Sequence, residues 1–348
     1  MESITAVWSS VWPYLVAIIL FLTLIVIHEF GHFIVAKLMG VRVNEFAVGF
    51  GPTLLKWQGK ETKYSIKLIP FGGYCAMEGE DEGSADPKAF CNKKPWRRFS
   101  IVVAGAVFNI IFGLVLMMIY FAPAGAIATN TVASFGENAT SSATGLQVGD
   151  TILKVDGRSC LTVVEINYAF SAVPDGKVDL LVKRNGEKLL LEDVEFKTEE
   201  YEGINYLSRD FNFEYKKNDI GTFFGQSIRY TISYGRTVWF TLVDMIGGRY
   251  NINQVSGPVG VVGAIGQAAK IGLDTLLPML CLITVNLGVF NLLPIPALDG
   301  GRLVFILFEM IARKPVPQKY ESLVHGIGFI VLMLFLIFIV FKDIIGLF

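Results

Sequence analysis

The motif His28-Glu29-Phe30-Gly31-His32 lies inside an almost unbroken apolar run. No charged residue occurs from Val11 to Ile27, and after His32 the apolar pattern resumes and stops at Gly40. A bilayer has a hydrocarbon core of about 30 Å and needs about 20 helical residues to cross it. Val11 to Met39 therefore predicts a transmembrane helix. Ionisable groups are expensive at that depth and by default mark function. Positions i and i+4 share one helix face, so His28 and His32 can hold one metal ion together. Glu29 is rotated by roughly 100°, where it reaches a water held by the metal rather than the metal itself. Zinc lowers the pKa of such a water to about 7, and a nearby carboxylate can take its proton and pass it to a leaving amine. The spacing points to a zinc hydrolase. The chain has 3 His in all, and this motif takes two of them, which argues against a chance match.

Composition narrows the class. With 53% hydrophobic and 18% charged residues and a mean hydropathy of +0.52, the chain reads as a polytopic membrane protein carrying some soluble mass. A formal net charge of −1 argues against nucleic acid as a partner. Cys75, Cys91, Cys160 and Cys281 are scattered without a C-x-x-C spacing, so they suggest neither a disulfide framework nor a cysteine-based zinc site. The first apolar segment lacks a basic n-region and a small-residue cleavage site, and it holds the chemistry, so it is expected to be retained.

Residues 1–124 read as a first membrane half. Between the first helix and a second apolar segment, Phe99 to Ala122, short β-rich pieces are punctuated by Gly49, Gly51, Gly59, Gly72 and Gly73. A hairpin turn is expected at Trp57-Gln58-Gly59-Lys60. A stretch this apolar beside an intramembrane site can dip back into the bilayer if protein or water satisfies its backbone. A simple cytoplasmic hairpin is the alternative. Residues 41–98 contain ten Lys or Arg, which places this loop in the cytoplasm by the positive-inside rule. Both termini and the region between the second and third helices then lie outside.

Residues 125–198 read as a soluble α+β domain. GLQVGDTILKVDG (145–157) is a turn and a strand, 164–173 suits a short helix, and Asn185-Gly186 marks a hairpin. This order resembles a PDZ domain, a module that captures extended peptides or C-termini by β-augmentation. Peptide capture and a purely steric role both remain open. Residues 199–274 form a linking segment, polar and then amphipathic, that is expected to lie at the outer membrane surface or against the core. Ser256-Gly257-Pro258-Val259-Gly260 reads as a tight turn. Residues 275–348 read as the second membrane half. A third apolar segment, Thr275 to Leu293, runs into Asn291-Leu-Leu-Pro294-Ile-Pro296-Ala-Leu298-Asp299-Gly300-Gly301, and a fourth covers Leu323 to Phe341. The prolines break the helix just where a carboxylate appears. The topology brings Asp299 and His32 toward the same face, and two His with one carboxylate and an open position is the catalytic zinc pattern. His325 reads as an interfacial side chain.

Taken together, His28-Glu29-x-x-His32, Gly49-Phe50-Gly51, Phe71-Gly72-Gly73-Tyr74, the 256–260 turn and Asn291-x-x-Pro294-x-Pro296-x-Leu298-Asp299-Gly300 resemble the site-2 protease family of intramembrane zinc metalloproteases, in its bacterial RseP/RasP-like branch. The resemblance covers nearly the whole chain in the family's order. It implies about four transmembrane helices, a re-entrant β-hairpin element and one inserted extracytoplasmic PDZ domain. It further implies Zn2+ bound by His28, His32 and Asp299, with Glu29 as general base. Asn291, Pro294 and Pro296 would help hold substrate, and Gly49, Phe50, Gly51, Gly72 and Gly73 would belong to a β element that presents an edge to an unwound substrate helix. The implied activity is endoproteolysis of single-pass transmembrane proteins, such as pre-trimmed anti-sigma factors or remnant signal peptides, within a bacterial cytoplasmic membrane near its cytoplasmic face. Some relatives carry two tandem PDZ domains, whereas 125–198 accommodates one. Two readings from other classes compete: a metal transporter or sensor using the same ligands, and a catalytically silent PDZ scaffold. Helices two to four offer no second set of His, Cys pairs or carboxylates to make a metal path, and a silent scaffold has no use for Glu29 at that depth.

Overall fold

The computed structural model describes residues 2–80, 83–171, 173, 175–201, 204–249 and 256–345. It divides into two compact units, one made of Met1–Gly113 and Asn253–Phe348, the other of Leu114–Ile252.

In the first unit, α1 (Glu2–Leu38) carries the uncharged run and the His-Glu-x-x-His motif on one continuous helix. Two long antiparallel strands follow, β1 (Val43–Gln58) and β2 (Lys63–Met77). Glu45 to Val48 lie opposite Lys63 to Ile66 on one side and Gly73 to Ala76 on the other, so each strand bends back and the pair folds into a small sheet. Gly49 and Gly72 supply the bends. Both have positive φ (85° and 105°), and a Cβ on Gly72 would sit 2.0 Å from the Phe50 ring. Next, α2 begins at the helix-compatible Pro95, immediately after Lys93 and Lys94, and runs Pro95–Phe121.

The second unit holds a six-stranded sheet. Its elements in chain order are β3 (Ala126–Phe135), the single turn α3 (Thr140–Ala143), β4 (Thr151–Val155), β5 (Arg158–Ser159), α4 (Val163–Ser171), β6 (Lys177–Arg184) and β7 (Glu187–Glu195). A two-stranded ribbon, β8 (Lys197–Tyr201) with β9 (Ile204–Ser208), leads to β10 (Phe211–Lys217). The sheet order is β10-β3-β4-β6-β7, with β5 paired to β4, so the sheet takes in a strand beyond residue 198. The Asn-Gly turn closes β6 on β7 with positive φ at both Asn185 and Gly186, as the twist of a two-residue hairpin requires. In the GLQVGD segment, the buried Asp150 carboxylate accepts two 2.7 Å bonds from Arg184 and a 2.9 Å bond from the Gln147 N–H, fixing the turn before β4.

Helix α5 (Ile220–Ile246) starts at Asp219, whose side chain accepts from the Thr222 N–H at 2.7 Å. Its polar face is the buried one. Glu165 on α4 meets Arg236 at 3.0 Å and Ser233 at 3.2 Å, and Asp244 meets Arg158 and Tyr168. Ile220, Phe224, Ile228, Ile232, Trp239, Val243 and Ile246 point away, forming an exposed apolar stripe. The amphipathic helix expected here is present.

Returning to the first unit, α6 (Pro258–Ile271), α7 (Leu273–Asn291), α8 (Asp299–Ala312) and α9 (Gln318–Ile345) complete the chain. Among the described residues, four helices are long and apolar enough to cross a membrane: Val11–Leu38, Pro95–Phe121, Leu273–Asn291 and Lys319–Asp343. They match the four expected spans to within a few residues. Two helices were not expected. The turn at 256–260 is the entrance to α6, whose glycines hide its helical pattern, and α8 starts at Asp299 itself. Ala36, Val43, Cys75, Met77, Ile101, Val102, Leu303 and Ile306 form one buried cluster, which locks α1, the β1–β2 sheet, α2 and α8 together. That cluster lies directly beside the site.

Candidate metal centre

His28 and His32 are one turn apart on α1 and buried, each with 7% of its surface exposed. Their rings meet edge-on, with Nε2 atoms 3.2 Å apart. Asp299, the first residue of α8, brings its Oδ2 to 3.1 Å from His28 Nε2 and 3.2 Å from His32 Nε2. Three potential ligand atoms from opposite ends of the chain thus form a nearly equilateral triangle. A tetrahedral ion about 2.0–2.1 Å from each ligand needs those atoms roughly 3.3–3.4 Å apart, so the triangle fits a zinc ion with a slight opening. The donor set, two imidazoles and one carboxylate, is that of a catalytic site that keeps a fourth position open.

Local sequence explains the convergence. Helices α1 and α2 cross at small residues: a Cβ on Gly31 would lie 2.6 Å from the Ala104 carbonyl oxygen. The same absence at Gly105 admits both imidazole rings. His32 donates its Nδ1 hydrogen to the Ile101 carbonyl oxygen at 2.9 Å, which leaves Nε2 as the free lone pair. Asp299 is held by the broken segment 292–298. A Cβ on Gly300 would meet the Leu293 carbonyl oxygen at 2.0 Å, and one on Gly301 the Ile295 carbonyl oxygen at 2.5 Å. The Asp-Gly-Gly sequence lets α8 start flush against that loop. Ala297 has a φ of 76°, and its N–H is accepted by His325 Nδ1 at 3.1 Å. His325 therefore braces the loop from α9 and is not a ligand-forming neighbour of the triangle.

The triangle opens on a cavity of about 480 Å³, lined among others by Glu29, Tyr74 to Met77, Asn291 and Arg302. The Glu29 side chain lies against Gly73, where an added Cβ would be 3.3 Å from Glu29 Cγ. Gly49, Phe50, Gly51, Gly72 and Gly73 lie on the β1–β2 sheet, where the Phe50 ring covers Gly72 and stacks with Tyr74 at a centroid distance of 6.3 Å. Asn291 borders the cavity, although its amide donates to the Leu287 carbonyl oxygen at 2.9 Å. Pro294 and Pro296 lie in the break before Asp299. Arg302, one turn along α8, pairs with Glu80 at the cavity wall. Sequence reasoning missed Asn109, which is buried on α2 with its amide nitrogen 3.1 Å from His28 Nδ1. Its signal was available: an amide within an otherwise apolar span is costly and asks for a partner.

Comparison with known proteins adds a family. The model of peptidase family M50 matches residues 16–335. A protein of Clostridium acetobutylicum, named provisionally as a zinc metalloprotease, is 39% identical over 339 residues, covering 97% of this chain and 98% of its own. A similarly named protein of Clostridium perfringens is 36% identical, with 94% and 97% covered. The zinc metalloprotease RasP of Shouchella clausii is 29% identical, with 95% and 98% covered.

Proposed function

The chain belongs to peptidase family M50, a family of zinc metalloproteases, and from that premise we propose that it is an intramembrane endopeptidase of the site-2 type. It cuts single-pass transmembrane proteins within the bilayer, near the cytoplasmic face of a bacterial cytoplasmic membrane. Pre-trimmed anti-sigma factors and remnant signal peptides are the substrates that suit it. The observation that carries this reading is the meeting of Asp299 with His28 and His32 beside Glu29, the last three on a helix apolar enough to span a membrane.

His28, His32 and Asp299 would hold zinc, which when bound acidifies water and polarises the scissile carbonyl. Glu29 takes a proton from the attacking water and delivers it to the leaving amine nitrogen as the peptide bond breaks. Residues Tyr74 to Met77 run along the same cavity as a strand paired with β1 on one side. They suit the pairing of an unwound substrate, whose freed backbone groups need partners at membrane depth. Leu54, Leu55, Trp57, Leu68 and Ile69 on the β1–β2 sheet are exposed and apolar, which supports a re-entrant element set into lipid. Asn291 and the Pro294/Pro296 break border the cavity where the substrate chain would lie. The ten Lys or Arg of residues 41–98 support a cytoplasmic loop, with both termini and residues 125–198 outside. There a PDZ-like module would delay substrates with bulky outer domains or capture their trimmed ends, with the apolar stripe of α5 resting on lipid.

The test is cleavage of a tagged single-pass substrate by purified wild type and Glu29→Gln in detergent, with metal content assayed in parallel. Wild type is expected to cut and to stop with chelator, while Glu29→Gln holds metal and is inert. Normal cleavage by Glu29→Gln would remove Glu29 from the role of base.

A further inference from the structure

Asn109 has no task in the chemistry above, yet it is fully buried at the metal centre. Helix α7 holds it in place: its carbonyl oxygen accepts from Thr284 Oγ1 at 3.3 Å, and an added Cβ on Gly288 would lie 3.3 Å from its own Cβ. Its carboxamide nitrogen lies 3.1 Å from His28 Nδ1, and its Oδ1 is buried with no hydrogen-bond partner among the described residues. Only the imidazole therefore selects which end of the amide faces the ring.

The two ligand histidines differ here. The Ile101 carbonyl oxygen can only accept, so His32 carries its hydrogen on Nδ1 and keeps Nε2 free for a metal. A carboxamide can donate or accept. With the amide nitrogen toward the ring, Nδ1 of His28 accepts and the ring hydrogen sits on Nε2, which is 3.1 Å from Asp299 Oδ2. In that arrangement Nε2 of His28 carries its hydrogen and offers no lone pair to an ion. Ligation through Nε2 needs the other tautomer, with the hydrogen on Nδ1 and an acceptor opposite it.

We propose that Asn109 is a positioning residue for His28, its carboxamide holding the ring in the tautomer that offers Nε2 to an ion. With metal, Oδ1 accepts from Nδ1–H, fixes the ring and directs the Nε2 lone pair at the ion. The inference rests on the reading of His28 as a ligand.

The test measures zinc affinity by chelator competition, and the visible absorption of the cobalt(II) form, on the full chain in detergent. Asn109→Leu keeps the branched shape and removes the acceptor; Asn109→Asp keeps the shape and, ionised, can only accept. Asn109→Leu is expected to bind zinc about 10–100-fold more weakly, with a changed cobalt spectrum, and Asn109→Asp to bind at least as tightly as wild type. A merely structural role would penalise both variants. Wild-type affinity in Asn109→Leu, or a tenfold loss in Asn109→Asp, overturns the proposal, and the second result decides alone if the Leu variant does not fold. His28→Ala separates the two readings. If it keeps wild-type affinity, the ligand assignment itself fails; if it loses zinc while Asn109→Leu does not, only the positioning role fails.

Discussion

Gly105 lies so close to His32 that a Cβ added there would sit 2.4 Å from Nε2 and 2.7 Å from Cε1 of His28. Helix α2 is thus a flat wall against which both imidazoles rest. Gly105→Ala must push the rings off that wall or part α1 from α2. A misplacement of about 1 Å costs roughly 100-fold in rate, so cleavage is expected to fall by about that factor, with reduced zinc content. Gly263→Ala is the control, since nothing lies within 4 Å of a Cβ there. Equal activity in the two variants would refute the packing argument.

In the proposed function, Asp299 is the ligand supplied from the far end of the chain and the one that would bring negative charge to the ion. Asp299→Asn keeps an oxygen in place but removes that charge. Zinc affinity and cleavage are expected to fall together, each by at least about tenfold, or ~1.4 kcal/mol in binding. Titration of chelator against wild type should give a parallel loss of metal and activity that added zinc restores. Activity that persists in metal-depleted protein would contradict the metalloprotease chemistry.

The turn at 256–260 owes its glycines to Asp343. From the far end of α9, Asp343 accepts the N–H of Gly257 at 3.3 Å and of Gly260 at 2.9 Å, capping α6 as an N-cap side chain would. A Cβ on Gly257 would lie 2.8 Å from Oδ2 of Asp343 and 2.5 Å from Ile339 Cγ2. Asp343→Ala is expected to cost about 0.5–2 kcal/mol, the usual loss of a cap. Thermal unfolding in detergent reads it, and an unchanged midpoint would show that water replaces the carboxylate.

Much of this was legible in the sequence because membrane depth makes polar residues conspicuous. His28, Glu29, His32 and Asp299 stand out against apolar runs, and four spans follow from length alone. The meeting of Asp299 with the histidines also followed, since both approach one face. What escaped was packing. Gly105 reads as an ordinary member of an apolar helix, and the amide of Asn109, though conspicuous there, has no visible partner until α1 and α2 are brought together. Helix α6 was hidden because Gly260, Gly263 and Gly266 weaken its propensity, while its first turn is capped by Asp343, more than 80 residues away. β10 was missed as part of the sheet because its partner, β3, precedes it by a similar distance.

Asp244 ties α5 to the sheet of the second unit, accepting from Arg158 and from the Tyr168 hydroxyl at 2.9 Å, with Arg249 at 3.4 Å. Burial works to raise its carboxyl, but the bonds from Arg158 and Tyr168 and the neighbouring positive charges outweigh it and hold it below the usual carboxylate value. A carboxyl depressed by folding contributes stability that is fully present above its unfolded pKa of about 3.9 and is lost as pH falls through the folded value. The second unit is therefore expected to lose stability on acidification below about pH 4. Asp244→Asn removes the charge and leaves Arg158 without its counterion, which costs about 1–3 kcal/mol at neutral pH. It also flattens the acid limb, because residue 244 then no longer titrates. Unfolding midpoints of wild type and Asp244→Asn should converge as pH falls; curves that stay parallel would mean that the Arg158 pair adds nothing to the docking of α5.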